Sequence, residues 1–261
     1  MKKEQLDQIA QKLWDAENGA YQFPKFSEDY PDMTVEDAYN IQLNIIRKKY
    51  DRGEKLVGMK IGLTSSGMQN LLGVFTPDYG HLTDRMLVIE GQPCKFDELI
   101  QPKVEGELAF VLDRDLTGPS VTVADVFNAT SYIVPAIEIV DSRLTDWDIN
   151  YFDTVADNGS SARFVAGSRM LRPENVDMRT TGMVMERNGA LVSSGAAAEV
   201  WGNPAAAVAW LANSIYEFGI SLKAGQIILA GAFTAAVEAH KGDNFNITFG
   251  SGLGSVGVRF E

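Results

Sequence analysis

Three glutamates stand where glutamate is a poor choice. Glu105 and Glu107 lie two residues apart in Pro102-Lys-Val-Glu-Gly-Glu-Leu-Ala-Phe-Val-Leu112. Side chains two apart on a strand share a face, and the apolar run that follows predicts burial on both sides. Glu138 sits between Ile137 and Ile139 in a second β-rich run, Pro135-Ala-Ile-Glu-Ile-Val-Asp141. Carboxylates gathered in apolar surroundings repel one another and lose solvation, so they require a cation or must keep a proton. Three of them from two neighbouring strands form one face of an oxygen-rich octahedral site. Such a site suits Mg²⁺ or Mn²⁺, with positions left for water and a chelating ligand. Plainer readings compete: Glu-x-Glu also marks the wet face of a half-exposed strand, and Arg143 and Lys103 are ordinary salt-bridge partners for Glu138.

Two further groups could act beside such a centre. Lys60 lies in Val57-Gly-Met-Lys-Ile-Gly62, inside a glycine-flanked apolar run. It is either a charged hydrogen-bond donor and proton source near a bound anion or a lysine snorkelling from a strand edge. Asp78 follows Pro77 and reads as a base presented by a rigid loop or as a turn aspartate. His81 and His240 are the only histidines, with no second histidine at ligand spacing, which argues against a zinc site of the usual kind. Gly250-Ser-Gly-Leu-Gly-Ser255 leads into a strand rather than a helix, so it is not a dinucleotide fingerprint. The single cysteine, Cys94, allows no intrachain disulfide and fits a reducing compartment.

The elements that must position these groups divide the chain into a helical N-terminal region, 1–55, and a β-rich region, 56–261. Leu6, Ile9, Ala10 and Leu13 recur at helical spacing. Thr34-Val-Glu-Asp37 matches a capping box with Asp standing in for Glu, and Gly53 sits where the second helix should stop. Short β runs follow: 56–63, interrupted by Gly58 and Gly62; 86–89; the Glu-x-Glu strand; and 131–140, where Pro135 suggests an edge or a bulge. A helical piece over 66–72 and a turn over 76–80 separate the first two. Residues 145–161 read as a long polar loop, a length often tied to function. Asn188-Gly189 predicts a type I′ hairpin, and Asn203-Pro204 opens a helix. Strands over 226–230, 245–249 and 255–260 complete a mixed α+β pattern with a closed or rolled sheet.

The net charge of −12 argues against a nucleic-acid partner, which requires a basic stripe. A divalent cation can still reverse the local field for an anionic substrate. No apolar run approaches the roughly 20 residues that span a bilayer, and the first residues lack a signal-peptide core. The expectation is a soluble, cytoplasmic protein with no membrane partner.

Several segments together resemble a known family. They are Val57-Gly-Met-Lys-Ile-Gly-Leu-Thr-Ser65, Pro77-Asp-Tyr-Gly80, Glu105-Gly-Glu-Leu-Ala-Phe-Val-Leu112, Pro135-Ala-Ile-Glu-Ile-Val-Asp-Ser-Arg143, Asp153-Thr-Val-Ala-Asp-Asn158 and Gly252-Leu-Gly-Ser-Val256. In this order the chain resembles the fumarylacetoacetate hydrolase superfamily, in its branch of 2-keto-4-pentenoate hydratases and 4-oxalocrotonate decarboxylases of catechol meta-cleavage. The resemblance covers nearly the whole chain. It implies a mixed β-roll, barrel-like core of the fumarylacetoacetate hydrolase C-terminal type with a helical N-terminal region. It also implies Mg²⁺ or Mn²⁺, a homo-oligomer, a pathway partner enzyme, and a small 2-oxo or 2-hydroxydienoic acid as substrate. The family's metal carboxylates fall on Glu105, Glu107 and Glu138, its active-site lysine on Lys60, and substrate contacts on Ser160, Ser161, Arg163 and Thr234.

The branch point turns on a few residues. Asp78 in Thr76-Pro-Asp-Tyr-Gly-His-Leu-Thr-Asp84 resembles hydratases, whereas decarboxylases carry an apolar residue there; adding water calls for an acid or base. Met68-Gln-Asn-Leu-Leu-Gly-Val74 and Asp146-Trp147 are also hydratase-like. Gly58-Met59-Lys60 departs from the Gly-Lys-Lys of hydratases. Asn158-Gly-Ser-Ser-Ala-Arg163 and Thr234-Ala-Ala-Val237 lean toward decarboxylases, and an arginine facing the pocket would hold a second carboxylate. The expected activity is hydration of 2-hydroxypenta-2,4-dienoate to 4-hydroxy-2-oxopentanoate, with 4-oxalocrotonate (2-oxo-3-hexenedioate) decarboxylation as the alternative. An acylpyruvate hydrolase of the same superfamily would rely on a His-Glu pair, for which only His81 is available. A non-catalytic metal-binding protein would need neither Lys60 nor 145–161 as a lid.

Overall fold

The protein is described by a computed structural model covering residues 1–65, 69 and 73–261. Its strands are β1 (Leu56–Gly62), β2 (Asp78–Thr83), β3 (Pro93–Cys94), β4 (Lys103–Leu112), β5 (Thr130–Val140), β6 (Ser161–Ala166), β7 (Gly182–Arg187), β8 (Ala190–Ala196), β9 (Ile227–Ala232), β10 (Val237–Glu238), β11 (Asn244–Phe249) and β12 (Gly254–Phe260). The larger sheet runs β2-β1-β9-β4-β5-β6, with β10 added to β4, and curls into a half-barrel. The smaller sheet runs β3-β12-β11-β7-β8. The architecture is the mixed α+β fold that the sequence predicts.

The two sheets meet over β4. Gly106 lies between the two glutamates and faces the other way. A Cβ there would come within 2.3 Å of Met183 Sδ and 3.1 Å of Ile247 Cγ2, on β7 and β11. The missing side chain lets the second sheet close on the strand that carries the carboxylates. Ile137 and Ile139, which flank Glu138, are fully buried on the same apolar side.

The N-terminal helices Lys3–Gly19 and Val35–Asp51 bury Leu6, Ile9, Ala10 and Leu13 from the first and Ala38, Ile41 and Ile45 from the second. The capping box forms: Thr34 Oγ1 accepts from the Asp37 amide at 3.1 Å, and Asp37 Oδ2 accepts from the Thr34 amide at 3.0 Å. Gln42 ties the second helix to the site region. Its amide donates to the Tyr79 carbonyl at 2.9 Å and the Val155 carbonyl at 2.7 Å. The helix Pro204–Tyr216 starts as expected, with Asn203 Oδ1 accepting from the Ala205 amide. Asn188 and Gly189 both have positive φ, as a type I′ turn requires.

Several expectations are corrected. Residue 78 opens a fully buried strand, β2, rather than sitting in a turn. Residues 86–89 form no strand: a 3₁₀ turn covers Asp84–Met86, and Leu87 makes a lone bridge to Phe164. The β2 segment carries Asp, His and Thr, and their burial is decided by tertiary partners that local polarity does not reveal. Pro135 lies in an interior strand, with β4 on one side and β6 on the other. Its carbonyl accepts from the Gly167 amide at 2.8 Å, so its nitrogen faces the β6 side just where that ladder ends at Ala136↔Ala166. The predicted loop 145–161 contains the helix Tyr151–Ala156, N-capped by Asn150, and a 3₁₀ turn at Asn158–Ser160. β1 remains one strand through Gly58, where its register against β2 shifts, and it ends at Gly62. The predicted helical piece over 66–72 lies, apart from Gln69, outside the described residues. Among the described residues no helix is long and apolar enough to cross a membrane.

Candidate active site

The register of β4 against β5 puts Glu105 directly opposite Glu138, with Glu107 opposite Ala136. Opposed residues on an antiparallel pair hold their Cβ atoms about 5 Å apart, and like charges there repel. One carboxylate oxygen from each of Glu105, Glu107 and Glu138 lies within 4.8 Å of the other two. Glu107 and Glu138 are buried and Glu105 is half-buried. Glu107 Oε2 accepts from the Gly231 amide at 2.8 Å. Its Oε1 and both Glu138 oxygens have no hydrogen-bond partner among the described residues.

Neither plain salt bridge forms. Arg143 is taken by Asp157, with Nε donating to Oδ1 at 2.5 Å, and Lys103 Nζ stands over the Trp147 ring. The cation that reaches Glu138 is Lys60, at 3.6 Å. Lys60 sits on β1, between β2 and β9, with its ammonium buried and donating to the Gly159 carbonyl at 3.0 Å.

Burial dominates the titration of the cluster. Burial, then the charge of Glu138, pushes Glu105 up to about 7. Burial with Glu138 and Glu105 raises Glu107 well above the ordinary carboxylate range, against the Gly231 hydrogen bond. Burial raises Glu138 as well, with Lys60 opposing. Burial pulls Lys60 down, but Glu138, Asp78, Glu105 and Glu107 outweigh it and hold the ammonium above the usual lysine value. Three carboxylates facing one lysine are under-compensated. Their donor set is all oxygen and converges on one point, with carboxylate oxygens left unpartnered. These residues fit a hard divalent cation such as Mg²⁺ or Mn²⁺.

Asp78 enters from the first position of β2, paired with Gly62. A Cβ on Gly62 would fall 2.1 Å from Asp78 Oδ1 and 3.1 Å from Lys60 Nζ, so the glycine makes room for both charged groups. Thr154 Oγ1 donates to Asp78 Oδ2 at 3.4 Å, and Oδ1 has no partner among the described residues.

A cavity of about 310 Å³ joins these groups. Lys60, Asp78, Glu105, Ser160 and Thr234 line it, together with Lys103, Trp147 and Thr154. Glu107 and Glu138 reach it through the cluster they share with Glu105. Ser160 Oγ donates to Asp157 at 3.2 Å. Ser161 is buried with its hydroxyl beside the Glu138 carboxylate. The buried Arg143–Asp157 pair, with Arg143 Nη1 donating to the Asp141 carbonyl at 2.7 Å, fastens this turn to the end of β5.

Arg163 is the exception. It pairs across β6 with Ile139, one residue out of phase with Glu138, so its side chain leaves on the opposite face. There it meets Glu98 at 3.2 Å and lines a separate charged cleft with Glu17, Lys49 and Arg52. The expectation that Arg163 contacts substrate is therefore corrected by strand alternation. His81 is also removed from the chemistry: it is buried against Gln42, Nδ1 to Oε1 at 2.9 Å, and burial lowers it to about 4. Thr154, inside the resembling segment Asp153–Asn158 but given no role from the sequence, also lines the cavity, because the helix Tyr151–Ala156 brings it to Asp78.

A buried all-oxygen carboxylate cluster on the strands of a rolled sheet points to a class of protein, and comparison with known proteins agrees. The fumarylacetoacetate (FAA) hydrolase C-terminal family model matches residues 77–261, and the chain belongs to that family. Within it, the chain falls in the branch of hydratases and decarboxylases. It is 43% identical over 260 residues to the 2-hydroxyhexa-2,4-dienoate hydratase of Comamonas testosteroni, covering 99% of this chain and 98% of that one. It is 44% identical over 260 residues to the 4-oxalocrotonate decarboxylase of Pseudomonas putida, covering 100% and 98%. The solved structure of 4-oxalocrotonate decarboxylase from Pseudomonas putida G7, complexed with magnesium and adipate, superposes with a TM-score of 0.96 at 42% identity, covering 100% of this chain and 99% of that one.

Proposed function

We propose that this chain is a divalent-metal-dependent hydratase of a 2-hydroxy-2,4-dienoic acid, of the kind used in aromatic meta-cleavage catabolism. The observation that carries this reading is Asp78. Its carboxylate, with one unpartnered oxygen, shares a cavity with Lys60 and Glu105. Glu105, Glu107 and Glu138 would hold Mg²⁺ or Mn²⁺, and the magnesium in the decarboxylase structure supports this. Such a cation supplies a Lewis acid for the 2-oxo group and neutralises the carboxylate cluster.

The remaining work falls to side chains. Ketonisation moves a proton from the 2-hydroxyl to C5, and Lys60, held in place by the Gly159 carbonyl, is its carrier. Asp78 takes a proton from water as the oxygen adds at C4 and returns it at C3, giving a 4-hydroxy-2-oxo acid. Thr154 fixes the Asp78 carboxylate, and Ser160, Ser161 and Thr234 supply polar contacts along the substrate. Apolar Ile61, Leu63, Val140 and Ile149 in the lining limit bulk water.

Decarboxylation of a 2-oxohexenedioate is the second reading, supported by a decarboxylase relative at 44% identity. The test is to supply purified protein and Mg²⁺ with 2-hydroxypenta-2,4-dienoate and, separately, with 2-oxo-3-hexenedioate. Loss of absorbance from either acid without CO₂ supports the hydratase; CO₂ released from the diacid overturns it.

A further inference from the structure

We propose that the substrate of this site is a dicarboxylic 2-oxo acid and that Lys103, seated on Trp147, holds its distal carboxylate. This rests on the functional reading above and narrows it to a substrate class. Lys103 opens β4 two residues before Glu105 and therefore shares its face. Both line the same cavity. Two residues of strand advance roughly 6.7 Å, and the two carboxyl carbons of an extended six-carbon diacid lie roughly 6 Å apart, given carbon–carbon bonds of ~1.5 Å. An acid gripped at the glutamate cluster by its 2-oxo end therefore brings its far end toward Lys103.

Lys103 and Lys60 are the two cations in the described lining of this cavity. Lys60 is committed to the Gly159 carbonyl and Glu138. Lys103 Nζ lies 4.5 Å from the Trp147 ring centroid, and among the described residues it has no ion pair and donates no hydrogen bond. The carboxylates nearest in register are Glu105 on its own strand and the exposed Glu238 opposite it on β10. Neither forms a salt bridge with it. A ring face holds an ammonium while leaving its N–H groups open to an anion.

The seat is itself fixed. Trp147 Nε1 donates to the Gln101 carbonyl at 3.1 Å, and Asp146 and Trp147 both adopt positive φ, 53° and 58°. Non-glycine residues in that region are costly and persist where surrounding structure demands them. Without Lys103, the second negative charge of a diacid would face Asp78 and Glu105 in a part-apolar cavity. With it, the charge is paired.

The experiment titrates 2-oxoadipate and 2-oxohexanoate, equal in length and differing in the terminal carboxylate, into the Mg²⁺-loaded protein by calorimetry. Wild type should bind 2-oxoadipate roughly tenfold or more tightly, the scale of one charge-assisted hydrogen bond. Lys103→Met should bring 2-oxoadipate down to the affinity of 2-oxohexanoate, and Lys103→Arg should keep the preference. Indole fluorescence should respond to 2-oxoadipate in wild type and lose that response in Trp147→Leu. Equal binding of the two acids by wild type, or a preference that survives Lys103→Met, overturns this proposal and leaves the 2-oxo acid reading standing. Binding of neither acid overturns both.

Discussion

Replacing Glu107 by glutamine should stabilise the metal-free protein and abolish its stabilisation by Mg²⁺. One carboxylate oxygen from each of Glu105, Glu107 and Glu138 lies within 4.8 Å of the other two. Two unit charges at that distance repel by roughly 3 kcal/mol at an effective dielectric constant near 20. Glutamine keeps the acceptor for the Gly231 amide and turns an N–H₂ toward the unpartnered Glu138 oxygens, so one repulsive pair becomes an attractive one. The sign with pH follows from the raised carboxyls. Glu105 titrates at about 7 against the ordinary 4.5, so the folded metal-free protein binds more protons than the unfolded chain between those values. Wild-type stability then falls as pH rises through that window. The advantage of the glutamine variant should grow as pH rises from 5 to 8, toward a limit of about 3 kcal/mol when both carboxylates are charged, or roughly 6–12 °C in Tm for a chain of this size. Mg²⁺ should reverse the order, because only wild type gains the binding free energy. Thermal melts in EDTA and in Mg²⁺, at both pH values, measure all of this. A variant less stable than wild type in EDTA at pH 8, or one with an undiminished Mg²⁺ shift, would refute the reasoning. Turnover should be lost alongside Mg²⁺ binding; unchanged turnover would sink the metal-enzyme reading.

Other outcomes are expected. Asp78→Asn should lower water addition by about 10²-fold or more while the calorimetric Mg²⁺ affinity stays at the wild-type value; retained hydration would remove Asp78 from the mechanism. Gly106→Ala forces a methyl between the sheets, 2.3 Å from Met183 Sδ, and should cost about 1–3 kcal/mol in urea unfolding; a fully stable variant would mean the sheets part easily there. His81, lowered to about 4 by burial, is neutral when folded and charged when unfolded between pH 4 and 6.5. The unfolded chain binds the extra proton, so stability drops by up to about 3 kcal/mol as pH falls across that window. His81→Gln should flatten that slope, and an unchanged slope would assign the acid sensitivity elsewhere.

What could be read without coordinates was local. The spacing of Glu105 and Glu107, and the setting of Glu138 between two isoleucines, are chemical anomalies of composition. Burying unpaired carboxylates is costly, so these residues stand out along the chain as candidates, beside the wet-face and salt-bridge readings. Caps and turns behave the same way. Thr34 with Asp37, Asn188-Gly189 and Asn203-Pro204 work through bonds spanning two or three residues and form as expected. The class of reaction rests on these residues and on the ordered segments around them.

Phase and partnership were decided only by the fold. Arg163 follows Ser160 and Ser161 closely in sequence, yet alternation along β6 sends it to the far face, toward Glu98. Asp78 looks like a turn residue because its neighbours are proline, tyrosine and glycine; the pairing of β2 with β1 makes it a buried strand residue beside Lys60. Lys103 reads as a salt-bridge partner for Glu138, but the backbone at Asp146 and Trp147 turns an indole under it instead. Each outcome depends on which strand or loop lies across from a residue. That is set by long-range packing, which residue type and spacing along one segment do not encode. Residue type and spacing singled out three glutamates as candidates to share a cation; the packing of the strands brought them together and set which other charges face them.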